Sequence, residues 1–172
     1  NINNAISNAN NYKLYYVIDY TLSDEKFVEF VDNFNFTSFQ KEKIILVNNA
    51  LGNSENVLEN LSEIEADVLN SDVEYEEQVA VLCVISIAKY SYDFWSKNQD
   101  ILSEQKGKPT VSGAAKSDLG GAITGAGYSI TSGASTTGLV FGPGGYVLTT
   151  AGAAVTGALW SSGLYLASWG WF

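Results

Sequence analysis

The sequence predicts an all-α protein: an acidic helical bundle of four to five helices followed by a glycine-rich, uncharged helical hairpin. Three observations predict it. Helix-capping residues recur just ahead of apolar residues at helical spacing through the first 105 positions. All 28 charged residues lie at or before Asp118, so the last 54 residues carry no charge. Within that uncharged stretch small residues recur at four-residue steps, the spacing at which two helix backbones can approach closely.

Residues 1–11 contain six asparagines and little apolar periodicity, and are read as a loose N-terminal arm. The bundle is assigned to 12–105, and Leu14, Tyr15, Val17 and Ile18 open its core. Ser23 followed by Asp24 and Glu25 is an N-cap with acids at the positive end of the helix dipole, and Phe27, Phe30, Val31 and Phe34 recur at helical spacing. Thr37 and Gln40 fit a capping box for a helix that uses Ile44, Ile45 and Val47 and stops at Gly52. Asn53 or Ser54 caps the next helix, whose apolar face is Val57, Leu58, Leu61, Ile64, Val68 and Leu69. Ser71 and Glu74 form another capping box, opening a helix that runs to about Gln105, before Gly107 and Pro109. Residues 79–88 are apolar on nearly every face apart from Ser86, so neighbours should bury this helix on all sides. The run is too short to span a bilayer, which takes about 20 residues. Tyr90, Tyr92, Phe94 and Trp95 extend the core or line its edge.

Residues 106–118 read as a linker, with Ser117 and Asp118 as a fresh N-cap at its end. Residues 119–172 form the tail, with helical arms expected near 117–138 and 146–168 and a turn at Gly142-Pro143-Gly144-Gly145. The close-packing positions are Gly121, Gly125, Gly133, Ala154, Gly157, Ala158 and Ser162. Glycine costs about 1 kcal/mol per residue in a helix, so only burial could support these arms, and glycine-rich β structure is the competing reading. Trp160, Tyr165, Trp169 and Trp171 combine apolar bodies with polar tips near the C-terminus, and Phe172 adds an apolar ring. They are the expected contacts to a membrane or a partner.

Composition excludes much chemistry. The chain has no histidine, which removes His-based triads and the usual zinc sites. Gly127-Tyr-Ser129 lacks the closing glycine of a nucleophile elbow, and no lysine follows position 116 to complete a phosphate loop. Asp72, Glu74, Glu76 and Glu77 open a helix and meet its dipole without calcium-loop spacing. No catalytic residue, metal site or cofactor is therefore expected. Nine lysines against 19 acids give a net charge of −10, which disfavours nucleic acid and anionic lipid. Cys83 lies in an apolar run and reads as a buried, inert thiol. The start at Asn1 and the lack of methionine lead to the expectation of a removed leader and an exported protein, with a trimmed or Met-removed chain as the other reading.

Tyr92-Asp-Phe-Trp-Ser-Lys97 followed by Ala115-Lys-Ser-Asp-Leu-Gly-Gly-Ala-Ile-Thr-Gly-Ala126 and a Gly-Pro-Gly turn resembles a group of poorly characterised exported Bacteroidota proteins with a helical N-terminal region and a glycine-zipper tail. The tail alone resembles glycine-zipper bacteriocins, although those peptides are cationic and this chain is acidic. The first resemblance implies a non-enzymatic cell-envelope protein, periplasmic or outer-membrane-associated, or a secreted one. Its tail would dock into a protein complex, self-associate or contact membrane. The second implies a membrane-active effector whose acidic bundle keeps the inserting segment soluble. Weak insertion energetics of Gly- and Thr-rich arms favour the docking subunit.

Overall fold

The computed structural model describes residues 24–53, 55–103, 110–134 and 143–168. The fold is all-α, with no strand among the described residues. The arm at 1–11, the Ser23 cap, most of the polar joint at 106–109 and Gly142 lie outside them.

Helix α1 (Asp24–Asp32) buries Phe27, Phe30 and Val31, which share one face. An aromatic row continues from Phe30 to Phe34 at 5.5 Å and from Phe34 to Phe36 at 5.8 Å, both edge-on. Helix α2 (Ser38–Gly52) starts at the capping box its sequence predicts, with Gln40 N–H donating to Thr37 Oγ1 and Thr37 N–H donating to Gln40 Oε1. The same threonine hydroxyl donates to Glu77 at 2.7 Å, fixing this helix end against the start of a later helix.

Helix α3 (Val57–Leu69) begins at Asn56 in the left-handed region, φ 54°, without a side-chain cap; Asn53 is not its cap, and Ser54 lies outside the described residues. Its buried stripe is Val57, Leu61 and Val68 with Ile64 half-buried, whereas Leu58 and Leu69 are exposed. Ion pairs Lys43–Asp67 (2.6 Å) and Lys89–Glu65 (2.9 Å) hold α3 to its neighbours.

Helix α4 (Tyr75–Lys97) starts at Glu74, with no side-chain cap bond. Ser71 is not its cap. Its hydroxyl donates to the Val68 carbonyl at 2.6 Å and closes α3 instead. The helix ends at Lys97, short of Gln105, and a single turn α5 (Gln99–Ser103) follows. Val79, Ala80, Val81, Val84, Ile85 and Ala88 occupy the core.

Helix α6 (Val111–Thr131) starts within the expected linker, because Thr110 accepts a bond from Gly113 N–H and caps it there. Ser117 and Asp118 are therefore buried inside a helix rather than at its start. Helix α7 (Pro143–Ser168) opens with proline in its first turn, where the missing N–H has no helical partner to lose. Within the uncharged stretch, α6 is buried on most faces and packs against α4 and α7.

Candidate functional site

Helices α6 and α7 run antiparallel, and their register follows from three pairs at four-residue steps. Ser117 Oγ donates to the Ser161 carbonyl at 3.3 Å. One turn on, a Cβ built at Gly121 would fall 2.2 Å from the Gly157 carbonyl oxygen, and one at Gly157 would fall 2.0 Å from the Gly121 oxygen. Another turn on, a Cβ at Gly125 would fall 1.9 Å from the Ala153 oxygen. Backbone touches backbone here, and no side chain fits between. Ala154 and Ala158 are buried beside this seam.

Gly133 does not belong to the seam. It follows the end of α6 at φ 74° with nothing within 4 Å of its Cβ position, so it serves as a left-handed helix stop. Gly127, absent from the predicted set, allows a second close approach: its Cβ would meet the Phe34 ring at 2.6 Å. Ser162, Trp160 and Tyr165 belong to the backbone of α7, but their side chains lie outside the described residues, as do Trp169, Trp171 and Phe172 entirely.

The seam uses one face of α7 and leaves another facing outward. Leu148 is 76 % exposed, Val155 48 % and Leu159 71 %, with Gly152 open between them. On α4 the corresponding surprise is that the all-apolar run is not covered all round. Leu82, Cys83 and Ile87 are only half-buried, and Tyr90 and Phe94 on the same side are exposed. Val155 and Leu159, with Val147 and Ala151, form one wall of an apolar groove of about 890 Å³ whose other wall is this side of α4 from Tyr75 to Trp95; Leu148 and Gly152 lie outside its lining.

Asp118 lies in the groove lining and is only 6 % exposed. Two side chains of α4, four residues apart, donate to its Oδ2: the Ser91 hydroxyl in a very short bond and Trp95 Nε1 at 3.1 Å. Those bonds join α4 to α6 at the groove. An acidic side chain so deeply placed needs such partners, because burying an unsatisfied carboxyl group is costly. Cys83 lines the same groove, and burial pushes its thiol above the ordinary cysteine range, so it stays protonated at neutral pH.

Sequence reasoning missed both Asp118 and the groove. The signals were a carboxylate beside an otherwise uncharged tail and aromatic residues at 75, 90 and 94 on one side of an apolar helix. Among the described residues no cluster of three or more Cys, Asp or Glu could hold a metal ion. No helix among them is long and apolar enough to cross a membrane. No family model matches the chain, and neither a curated protein nor a solved structure matches it.

Proposed function

We propose that the protein is a non-enzymatic docking subunit of an exported cell-envelope complex. Its acidic bundle of four to five helices supports the uncharged helical hairpin, and the groove between α4 and α7 receives an apolar segment of a protein partner. The observation that carries this reading is the groove itself. A 172-residue chain that buries most of α6 nevertheless leaves Val155, Leu159, Tyr90 and Phe94 in solvent, side by side along one cleft. Contiguous apolar surface with a few convergent polar groups is the usual form of a binding site.

The chemistry of the lining supports binding rather than turnover. It is mostly apolar, and its polar groups are a buried carboxylate that accepts from Ser91 and Trp95, a protonated thiol and the hydroxyls of Ser86, Tyr75 and Tyr90.

The test uses the neutral dye Nile red and the full chain. One saturable site is expected, with bound dye slowing alkylation of Cys83, the chain's one cysteine. Val155→Asp and Leu159→Asp, at positions already in solvent, should weaken binding strongly while leaving the helical circular dichroism unchanged. Dye binding that ignores both substitutions and leaves Cys83 fully reactive would remove the groove from consideration.

A further inference from the structure

We propose that the chain carries a second binding site, beside the apolar groove, for a neutral sugar ring. The site is a polar pocket of about 530 Å³ between α3 and α4. Its lining among the described residues is Leu58, Ser62 and Glu65 of α3 with Ser86, Lys89, Tyr90 and Asp93 of α4, and it meets the groove at Ser86 and Tyr90. The volume falls in the range of about 300–1,000 Å³ usual for small-molecule sites.

Helical spacing brings these side chains together. Positions 58, 62 and 65 follow one another at three- or four-residue steps, as do 86, 89 or 90, and 93, so each helix presents one face. Lys89 and Glu65 pair across the two helices at 2.9 Å, both half-buried. One turn beyond Asp93, Lys97 donates to its Oδ2 at 2.7 Å. Each carboxylate of the lining is therefore already met by a lysine.

That compensation decides the class of ligand. An anion would face two carboxylates and a chain of net charge −10, while a cation would face Lys89 and compete with Lys97. A bare metal ion is disfavoured too, because no three Cys, Asp or Glu side chains are grouped to hold one among the described residues. What the pocket offers is hydrogen bonding without a net demand for charge. Among the described residues, Lys89 spends one of its three donors on Glu65, and only one oxygen of each carboxylate accepts from a protein group. The Ser86 and Tyr90 hydroxyls bond to no described protein group and add two groups that both donate and accept.

A neutral, hydroxyl-rich molecule matches this set, since each of its hydroxyls can donate to a carboxylate oxygen and accept from the ammonium. Tyr90 narrows the class to a ring. It is 79 % exposed in the pocket lining, and Leu58 on the other helix is 38 % exposed. The flat C–H face of a pyranose can lie on an aromatic ring while its hydroxyl edge reaches the polar side chains. A linear polyol has no such fixed apolar face.

The test titrates the methyl glycosides of glucose, galactose, mannose and N-acetylglucosamine into the isotope-labelled full chain, read by amide NMR shifts. At least one should bind with a dissociation constant of about 1 mM or tighter and shift amides within 58–65 and 86–93. The uronate and the amino sugar of the same ring should bind at least about tenfold more weakly. Tyr90→Ala and Asp93→Asn should each weaken binding about tenfold, and Tyr90→Phe should restore it. Val155→Asp, which weakens dye binding in the groove, should leave sugar binding unchanged. No shift with any of the four sugars overturns the site while the groove's dye site stands. Equal binding of the charged relatives overturns the selection for a neutral ring, and binding indifferent to Tyr90→Ala overturns the stacking contact. Shifts confined to 147–159, or sugar binding lost with Val155→Asp, would place the sugar in the groove and overturn the pocket.

Discussion

Replacing Gly157 with alanine adds one methyl group where the backbones of α6 and α7 touch. That methyl would lie 2.0 Å from the Gly121 carbonyl oxygen, where a carbon and an oxygen in contact need about 3.3 Å. Both groups are backbone, so no rotamer change relieves the overlap; the helices must part by about 1 Å or shift in register. Overpacking of this kind typically costs about 1–3 kcal/mol, and the parted helices lose dispersion contacts along the seam. Alanine also raises helix propensity by about 1 kcal/mol, which opposes the loss. Gly152→Ala isolates that opposing contribution, because Gly152 lies in the same helix with nothing within 4 Å of its Cβ position. The same chemical change is therefore expected to stabilise the protein at 152 by about 0.5–1 kcal/mol and to destabilise it at 157. The propensity gain cancels between the two variants, so their difference of about 1–3 kcal/mol measures the steric contact. Urea denaturation followed by circular dichroism reads it directly. Thermal melts should separate by about 2–4 °C per kcal/mol in a chain of this size. Equal stability of the two variants, or a more stable Gly157→Ala, would refute the backbone contact.

Thr37→Ala should lower stability by about 1–2 kcal/mol, since it removes the α2 cap and the bond to Glu77, with Thr37→Ser recovering most of the loss in the same urea titration. The Thr150 hydroxyl is fully buried without a hydrogen-bond partner among the described residues, so Thr150→Val should leave stability unchanged or raise it by about 1 kcal/mol. Cys83 has a folded-state pKa above its unfolded value, so the native state favours the protonated thiol. Its contribution to stability is present below about pH 8.5, the ordinary thiol value, and declines as pH rises above it. Alkylation of native Cys83 should accordingly be slow at pH 7 and accelerate only at more alkaline pH than for a free thiol; a rate at pH 7 matching free cysteine would contradict the buried setting.

Local chemistry made much of the helical order legible. Thr37 with Gln40 is a capping box, and Phe27, Phe30 and Val31 lie on a buried face, because both depend on residues within one or two turns. Glycines at four-residue steps mark a helix face whatever that face meets, and Gly121, Gly125 and Gly157 are found where α6 and α7 touch. The same spacing included Gly133, which instead ends α6 at positive φ; spacing alone does not separate a seam glycine from a stop. Ser71 and Ser117–Asp118 looked like caps because Ser and Asp favour that role, but Ser71 finds the end of the preceding helix and Asp118 finds Ser91 and Trp95 more than 20 residues away. Such long-range partners override local preference and leave no local trace. The groove was illegible for a related reason: an all-apolar helix implies cover on every side, and only the arrangement of α7 shows that the side bearing Leu82, Cys83 and Ile87 is left open.

Whether the groove is covered when the protein is at work is the deciding question. Cys83 reports this without any substitution, since it is the chain's one cysteine and lines the cleft. Its alkylation rate can be compared at one pH between the purified protein and intact envelope preparations of the organism that makes it, with readout by mass spectrometry of the peptide containing residue 83. Protection in the envelope, reversed when the protein is released and purified, is the predicted result. Equal rates in both settings would contradict the claim that a partner fills the groove.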